Sequence, residues 1–420
     1  MDLLGYSCRQ CGGAFAPEGA TYRCPRCDGN LDVRADLSSA RRQDISDSRD
    51  PSLWRYAPLL PVAVPPDDAG PLRAVGGTPL YRAPRAARAL GLRRLWIKDD
   101  GRLPSGSLKD RASAVVVQRA REIGRSPIIT ASTGNAGVAL AAMAPCAGID
   151  AVILVPASAP PAKIAQLGIF GATLVLVRGT YDDAFALSES AARELGWYCR
   201  NTGSNPFTAE GKKTVAFEIA EQLGWRAPDR IFVSVGDGNI LVGVEKGFRE
   251  LVALRFLERM PRLVGVQAEG SSPIARAFAA GAQTITPCET HTLADSIAAG
   301  RPSDGLRALA AVRETGGTFV VVTDEQILSA IATLGRSAAV FAEPAAAAAY
   351  AGLEASVRAG AVGADEEVVV LVTGNGLKDV AAATRAVPSA PPVIDPSLDS
   401  LRDVLHDRPR SGNIQTLTLT

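Results

Sequence analysis

Eight short apolar runs, separated by Ala-rich stretches of helical length, constrain this chain more than any other feature. They are LWIK (95–98), SPIITAS (126–132), AVILVP (151–156), ATLVLV (172–177), RIFVSV (230–235), RLVGVQ (262–267), TFVVVT (318–323) and EVVVLVTG (367–374). The runs are continuous, not alternating, as in parallel strands covered on both faces. Helices are expected at 110–124, 135–148, 160–170, 181–195, 211–224, 241–257 and 344–359. Strand and helix in turn give a doubly wound α/β fold, whose ligands sit at the carboxyl ends of its strands. A length of 420 residues is enough for two or three domains.

Charge removes other possibilities. Lys+Arg is 45 and Asp+Glu is 44, which argues against gripping nucleic acid or an anionic membrane through bulk charge. No apolar run reaches the roughly 18 residues of a membrane-spanning helix. The opening MDLLGYSCRQCGG has no basic segment followed by an apolar one, so a cytoplasmic protein is expected.

Four of the seven cysteines fall at Cys8, Cys11, Cys24 and Cys27, as two C-x2-C knuckles. Four thiolates so spaced suit tetrahedral Zn2+ in a closed, structural site. A pair of disulfides is the competing reading, disfavoured in a reducing compartment. Cys146, Cys199 and Cys288 lie among apolar neighbours and read as core residues. Residues 1–35 read as the ribbon and 36–70 as a polar, then Pro-rich, linker that wraps onto the large domain. The tail from 391 to 420 reads as an extended arm that packs back in part.

Only 2 His are present, which argues against a His-based triad, and of 45 basic residues only 7 are Lys. A lysine in so Arg-rich a chain invites the question of what its amine does that Arg cannot. Lys109, in PSGSLKDRA, follows a turn and opens a helix, where the dipole disfavours its charge. A depressed amine is what a Schiff-base lysine needs; an ordinary ion pair with Asp110 is the alternative. ASTGNAG (131–137) offers Ser132, Thr133 and Asn135 to a carboxylate, or else is a plain helix cap. VSVGDGNILVG (233–243) would aim the N–H groups of Gly236, Asp237, Gly238 and Asn239 at a phosphate. Beside such an anion the Asp237 carboxylate must turn outward. LVTGNGLKD (371–379) puts Thr373 at a strand's carboxyl end, where a plain turn is the alternative. Amine, phosphate cradle, carboxylate loop and hydroxyl together are the inventory for pyridoxal phosphate and an amino acid.

Across nearly its whole length the chain resembles the threonine synthases, of the tryptophan synthase β class of pyridoxal-phosphate enzymes (fold type II). The four-Cys ribbon, GGTPLY (76–81), IKDDGRLPSGSLKDRA (97–112), ASTGNAG, SNPFTAEGKKTVAFEIAEQLGW (204–225), VGDGN, FAEPAAAAA (341–349) and TGNGLKD occur in family order. The resemblance implies two doubly wound domains, a large one from 71–115 and 206–390 and a small one at 116–205. It implies that Lys109 carries the cofactor, Asn135 bonds its ring oxygen and Gly236–Asn239 hold its phosphate. Thr373 faces the ring nitrogen, and a neutral hydroxyl there leaves the ring a weaker electron sink, suited to elimination and replacement. Ser132 and Thr133, with Asn135, would take the substrate carboxylate, and Ser105, Thr208 and Lys212 would complete the substrate site. A homodimer and conversion of O-phosphohomoserine to L-threonine and phosphate are implied as well.

The chain departs from the family pattern at several positions. Ser105 and Leu108 stand where the family has Thr and Phe. Thr208 stands where an arginine is usual and Lys212 where a glutamine is usual. That arginine is implied to help hold the substrate phosphate. Loss of a forked donor weakens an anion site, whereas Lys212 returns the charge; Lys213 matches the family lysine. A β-elimination or β-replacement on serine, threonine, phosphoserine or another amino acid is therefore the alternative. Glu343, of the AEP turn, reads as a helix-start or packing residue.

Overall fold

A computed structural model describes residues 3–19, 22–159, 161–387 and 391–406. Three strands, β1 (Leu3–Cys8), β2 (Ala14–Phe15) and β3 (Leu31–Ala35), form an antiparallel ribbon in the order β2-β1-β3. Next come β4 (Leu80–Arg82) and β5 (Arg94–Asp99). The chain then builds a four-stranded parallel sheet from β6 (Ile128–Ala131), β7 (Ala151–Pro156), β8 (Thr173–Val177) and β9 (Tyr198–Cys199) in the order β8-β7-β6-β9. It returns through β10 (Arg230–Ser234), β11 (Arg262–Ala268), β12 (Thr318–Val322) and β13 (Glu367–Val372). These join β5 and β4 in the order β12-β11-β10-β13-β5-β4, all parallel except β4.

Continuous apolar sequence is explained by burial on two faces. Val368, Val370 and Val372 pack under the helix Pro344–Arg358, while Val369 and Leu371 face the helices Phe207–Gln222 and Asn239–Ala253. Burying one such side chain contributes about 1.5–3 kcal/mol. Two of the apolar runs become edge strands instead. Val175 and Leu176 of β8 and Val321 of β12 are exposed, because each strand has a neighbour on one side only.

The sheets are tied by two crossing helices, Lys109–Glu122 and Phe207–Gln222. At Gly211 a Cβ would lie 2.0 Å from the Arg111 carbonyl oxygen, so the backbones touch there and only glycine fits. The 36–70 segment packs against the rest of the chain. Its helices Arg42–Ser46 and Leu53–Leu59 bury Ile45, Trp54, Tyr56 and Leu59, and the Tyr56 hydroxyl donates to Glu221. Apolar residues at about every third position make this stretch a packed strap. The helices Pro273–Ala279, Gly305–Glu314 and Asp324–Ala338 were not foreseen. The expected extended arm contains a helix at Leu398–His406, and its last part, 407–420, lies outside the described residues. Among the described residues no helix is long and apolar enough to cross a membrane.

Candidate active site

The carboxyl ends of strands from both sheets open onto one cleft of about 720 Å³. Lys109, Ser132, Thr133, Gly134, Asn135, Lys212, Asp237, Gly238 and Asn239 line it. Of the twelve site residues singled out in the sequence, eight line the cleft and four, Ser105, Thr208, Gly236 and Thr373, do not.

Lys109 is set by pairing, not by its own helix alone. Ser107 bridges to Gly374, and the Leu108 N–H donates to the Thr373 carbonyl at 2.9 Å. The end of β13 therefore fixes where the helix of Lys109 begins. Burial pushes the Lys109 amine below its ordinary pKa. Glu343 and Asp237 oppose that fall, while Arg200 and Lys378 add to it.

Across the cleft, Asn135 opens the helix Asn135–Met143. Its Nδ2 donates to Glu343 Oε1 at 2.7 Å. Glu343 is thus more than a packing residue: a buried carboxylate that orients Asn135 and shares a field with Lys109. The AEP turn gave its position but not this long-range contact.

The loop 236–239 precedes the helix Asn239–Ala253, with Gly238 left-handed at φ +93°. A Cβ there would lie 2.9 Å from the Asp304 carbonyl oxygen. The Asp237 carboxylate is expected to turn outward; the residue lines the cleft, with its Oδ1 accepting from the Ser303 N–H at 3.5 Å. It stays on the wall, where the Lys212 charge counters the rise that burial imposes on its carboxyl.

Lys212 is buried. Its Nζ donates to Asn239 Oδ1, and no carboxylate lies within ion-pair distance among the described residues. Burial holds its pKa well below the ordinary value, with Arg200 and Lys109 adding to the fall. Arg200 carried no motif and was missed. It follows β9, donates from Nε to Ser113 at 3.2 Å and from Nη1 to Thr202 at 2.8 Å, and leaves Nη2 buried without a partner. Burial lowers its pKa to about 10.

Four expected site residues are not part of the cleft lining. Ser105 gives its N–H, at 2.7 Å, and its hydroxyl to Asp110, so it supports the loop from behind. The Thr208 hydroxyl donates to the Asn205 carbonyl at 2.7 Å and is buried off the wall. Thr373 is buried beneath the wall. Gly236 also sits behind, where a Cβ would lie 2.8 Å from the Ile297 Cα. Cys288, expected in the core, is half-buried on the cleft wall, whereas Cys199 is buried.

The wall fits pyridoxal phosphate. Its donor set comprises a depressed amine at Lys109, first-turn N–H groups at Asn239 and an amide at Asn135. A Cβ at Gly134 would meet nothing within 4 Å, so this side has room for a ring. A second candidate centre is the ribbon. The sulfurs of Cys8, Cys11, Cys24 and Cys27 lie within 4.8 Å of one another, with Cys8–Cys27 at 3.6 Å and Cys11–Cys24 at 3.5 Å. These are too long for disulfides, at about 2.05 Å. They are near the roughly 3.8 Å between ligands of a tetrahedral site with Zn–S of about 2.3 Å.

Comparison with known proteins agrees with this chemistry. The family model described as pyridoxal-phosphate dependent enzyme matches residues 72–374. A threonine synthase of Methanosarcina acetivorans is 41% identical over 95% of this chain and 98% of its own. One of Methanocaldococcus jannaschii is 37% identical over 90% and 94%. The fold is shared with an L-serine ammonia-lyase from Rhizomucor miehei, at a TM-score of 0.64 and 23% identity over 74% of this chain and 96% of that one. The chain belongs to the threonine synthase family of pyridoxal-phosphate dependent enzymes.

Proposed function

We propose that this chain converts O-phosphohomoserine and water to L-threonine and phosphate. The observation that carries the reading is one cleft lined by two lysines outside any ion pair among the described residues, half-buried Lys109 and buried Lys212, together with a hydroxyl and amide loop. The first is placed to move protons and the second to meet a phosphate.

Bound pyridoxal phosphate supplies an electron sink in conjugation with the substrate α-carbon. Lys109 would carry it, Asn135 would bond its ring oxygen, Thr373 would face its ring nitrogen, and the 236–239 loop would hold its phosphate. Ser132, Thr133 and the Asn135 N–H take the substrate carboxylate at a helix start, where a negative charge is favoured. A depressed amine at Lys109 gives up its proton more readily than an ordinary lysine, so its Nζ can remove the protons from Cα and Cβ and return them at Cγ and Cα. As the Cβ proton is taken, its bonding pair forms the Cβ–Cγ double bond, the C–O bond at Cγ breaks and phosphate leaves with that pair beside Lys212; Cγ then gains a proton, and water adds its hydroxyl at Cβ while its other proton goes to the phosphate. Lys212 supplies the cation that the Thr208 position lacks.

The ribbon is proposed to hold one structural Zn2+ through Cys8, Cys11, Cys24 and Cys27. A cytoplasmic homodimer with a small phosphorylated amino acid as its partner completes the reading; the mass in solution tests the dimer. For the reaction, purified enzyme and O-phosphohomoserine should give phosphate and threonine in equal amounts. Phosphate without threonine, or 2-ketobutyrate formed from threonine, would move the chain to the β-elimination alternative.

A further inference from the structure

The ribbon is packed directly behind the phosphate loop, and a chain of hydrogen bonds runs from one to the other. Asn30 lies three residues after Cys27. Its Nδ2 donates to Asp304 Oδ1 and to the Ser303 carbonyl, both at 2.7 Å. Asp304 Oδ2 accepts from Asn239 Nδ2 at 2.6 Å. Asn239 Oδ1 in turn accepts from Lys212. The Asp304 N–H donates to the Asp237 carbonyl at 2.9 Å, so one residue grips the loop at two points.

The direction of each bond is forced. A carboxylate only accepts, so Asp304 compels Asn239 to present its NH2. The Asn239 oxygen must then face Lys212, which fixes that amine at the cleft. At the other end, the Asn30 oxygen accepts from Arg23, which leaves its NH2 for Asp304. Asp304 is 1% exposed and Asn239 2%, so water cannot replace these partners at low cost. A second arm runs parallel: Arg9 of the ribbon pairs with Asp32 at 3.0 Å, Asp32 with Arg307, and Arg307 with Asp304 at 3.1 Å.

The position of Asn30 depends on the cysteine knuckle. The Cys24 N–H donates to the Gly29 carbonyl at 2.9 Å. A Cβ at Gly29 would lie 3.2 Å from the Cys8 sulfur and 3.3 Å from the Cys27 sulfur. The turn that delivers Asn30 is therefore folded around the sulfurs themselves.

We propose that the ribbon is a positioning element of the cleft's anion sites, with Asn30 and Asp304 as its positioning residues. It sets Asn239 and Lys212 from behind, much as outer partners orient the ligands of a metal. The substrate part of this inference rests on the proposed reaction; the cofactor part does not.

The test uses holoenzyme of the full chain and compares Asn30→Ala with Tyr22→Phe. Tyr22 joins the ribbon to β9, accepting from the Cys199 N–H at 2.8 Å, and lies off the relay. Two quantities are read: the rate at which the visible cofactor band is lost on dilution, and the split between KM and kcat. Asn30→Ala should speed cofactor loss and raise KM about tenfold, the value of one charge-assisted hydrogen bond, with kcat little changed. Chelation of metal from the wild type should speed cofactor loss in the same way, and Tyr22→Phe should do neither. Should Asn30→Ala not fold, the isosteric Asp304→Asn carries the same test. Equal cofactor loss and equal KM in the two variants would overturn the proposal and leave the ribbon a staple. Cofactor retention is read without substrate, so a failure of the proposed reaction leaves that arm intact.

Discussion

Lys212 and Lys213 are neighbours on one helix, and both are buried, yet their surroundings are opposite. Lys213 faces inward between Glu210 at 2.7 Å and Glu250 at 2.8 Å, which hold its pKa above the ordinary value despite burial. Lys212, about 100° round the helix, faces the cleft with an amide for a partner, and its pKa falls. The same division separates two larger regions. Behind the cleft, Arg111 and Lys98 meet Glu218 and Asp100 in a closed network with contacts of 2.6–2.7 Å. In and behind the wall, Lys109, Lys212 and Arg200 have no carboxylate within ion-pair distance among the described residues. A buried charge without a partner costs several kcal/mol, and a site that keeps such groups gains only when an anion arrives. Paired cations mark the scaffold here, and unpaired ones mark the site.

The comparison can be broken by exchanging charges. Lys109→Ala should lose the largest factor, about 10,000-fold in turnover, and remove the visible cofactor band, with little effect on unfolding by denaturant. Lys213→Met strands two buried glutamates and should cost about 3–5 kcal/mol in the same unfolding assay. Lys212→Met should do the reverse. KM for O-phosphohomoserine should rise at least about tenfold, the loss of a charged donor, while the ligand-free protein is no less stable than wild type. Equal destabilisation by the two lysine variants would erase the distinction.

The smallest effect is in pH. The Lys212 amine keeps its proton up to the ordinary value of 10.5 in the unfolded chain and releases it earlier in the folded one. Between the folded value and 10.5 the unfolded state binds more protons, so this group makes stability rise with pH. The stability advantage of Lys212→Met over wild type should therefore shrink as pH climbs toward 10.5. A gap that is constant with pH would mean that Lys212 stays charged.

Local motifs made part of this legible. The knuckle spacing announced the ribbon, the βαβ alternation announced both sheets, and the turn before Lys109 placed its amine at a helix start. What the sequence hid depends on contacts between distant residues. Glu343 acquires its role from Asn135, and Asp304 from Asn30 and Asn239. Arg200 was one of many arginines until burial without a counterion set it apart. Thr208 and Ser105 were read as site residues from family positions, but a short hydroxyl found a local backbone or carboxylate partner and turned away from the cleft.

Binding of an anion that does not itself titrate tests the central claim most directly. Sulfate can be titrated calorimetrically into holoenzyme at mildly alkaline pH, in buffers of different ionisation enthalpy. An anion beside Lys212 opposes the fall that burial imposes on its pKa, so sulfate binding at rising pH should draw in protons, and this uptake should vanish in Lys212→Met. Sulfate binding without proton uptake, or uptake that persists in that variant, would contradict the account.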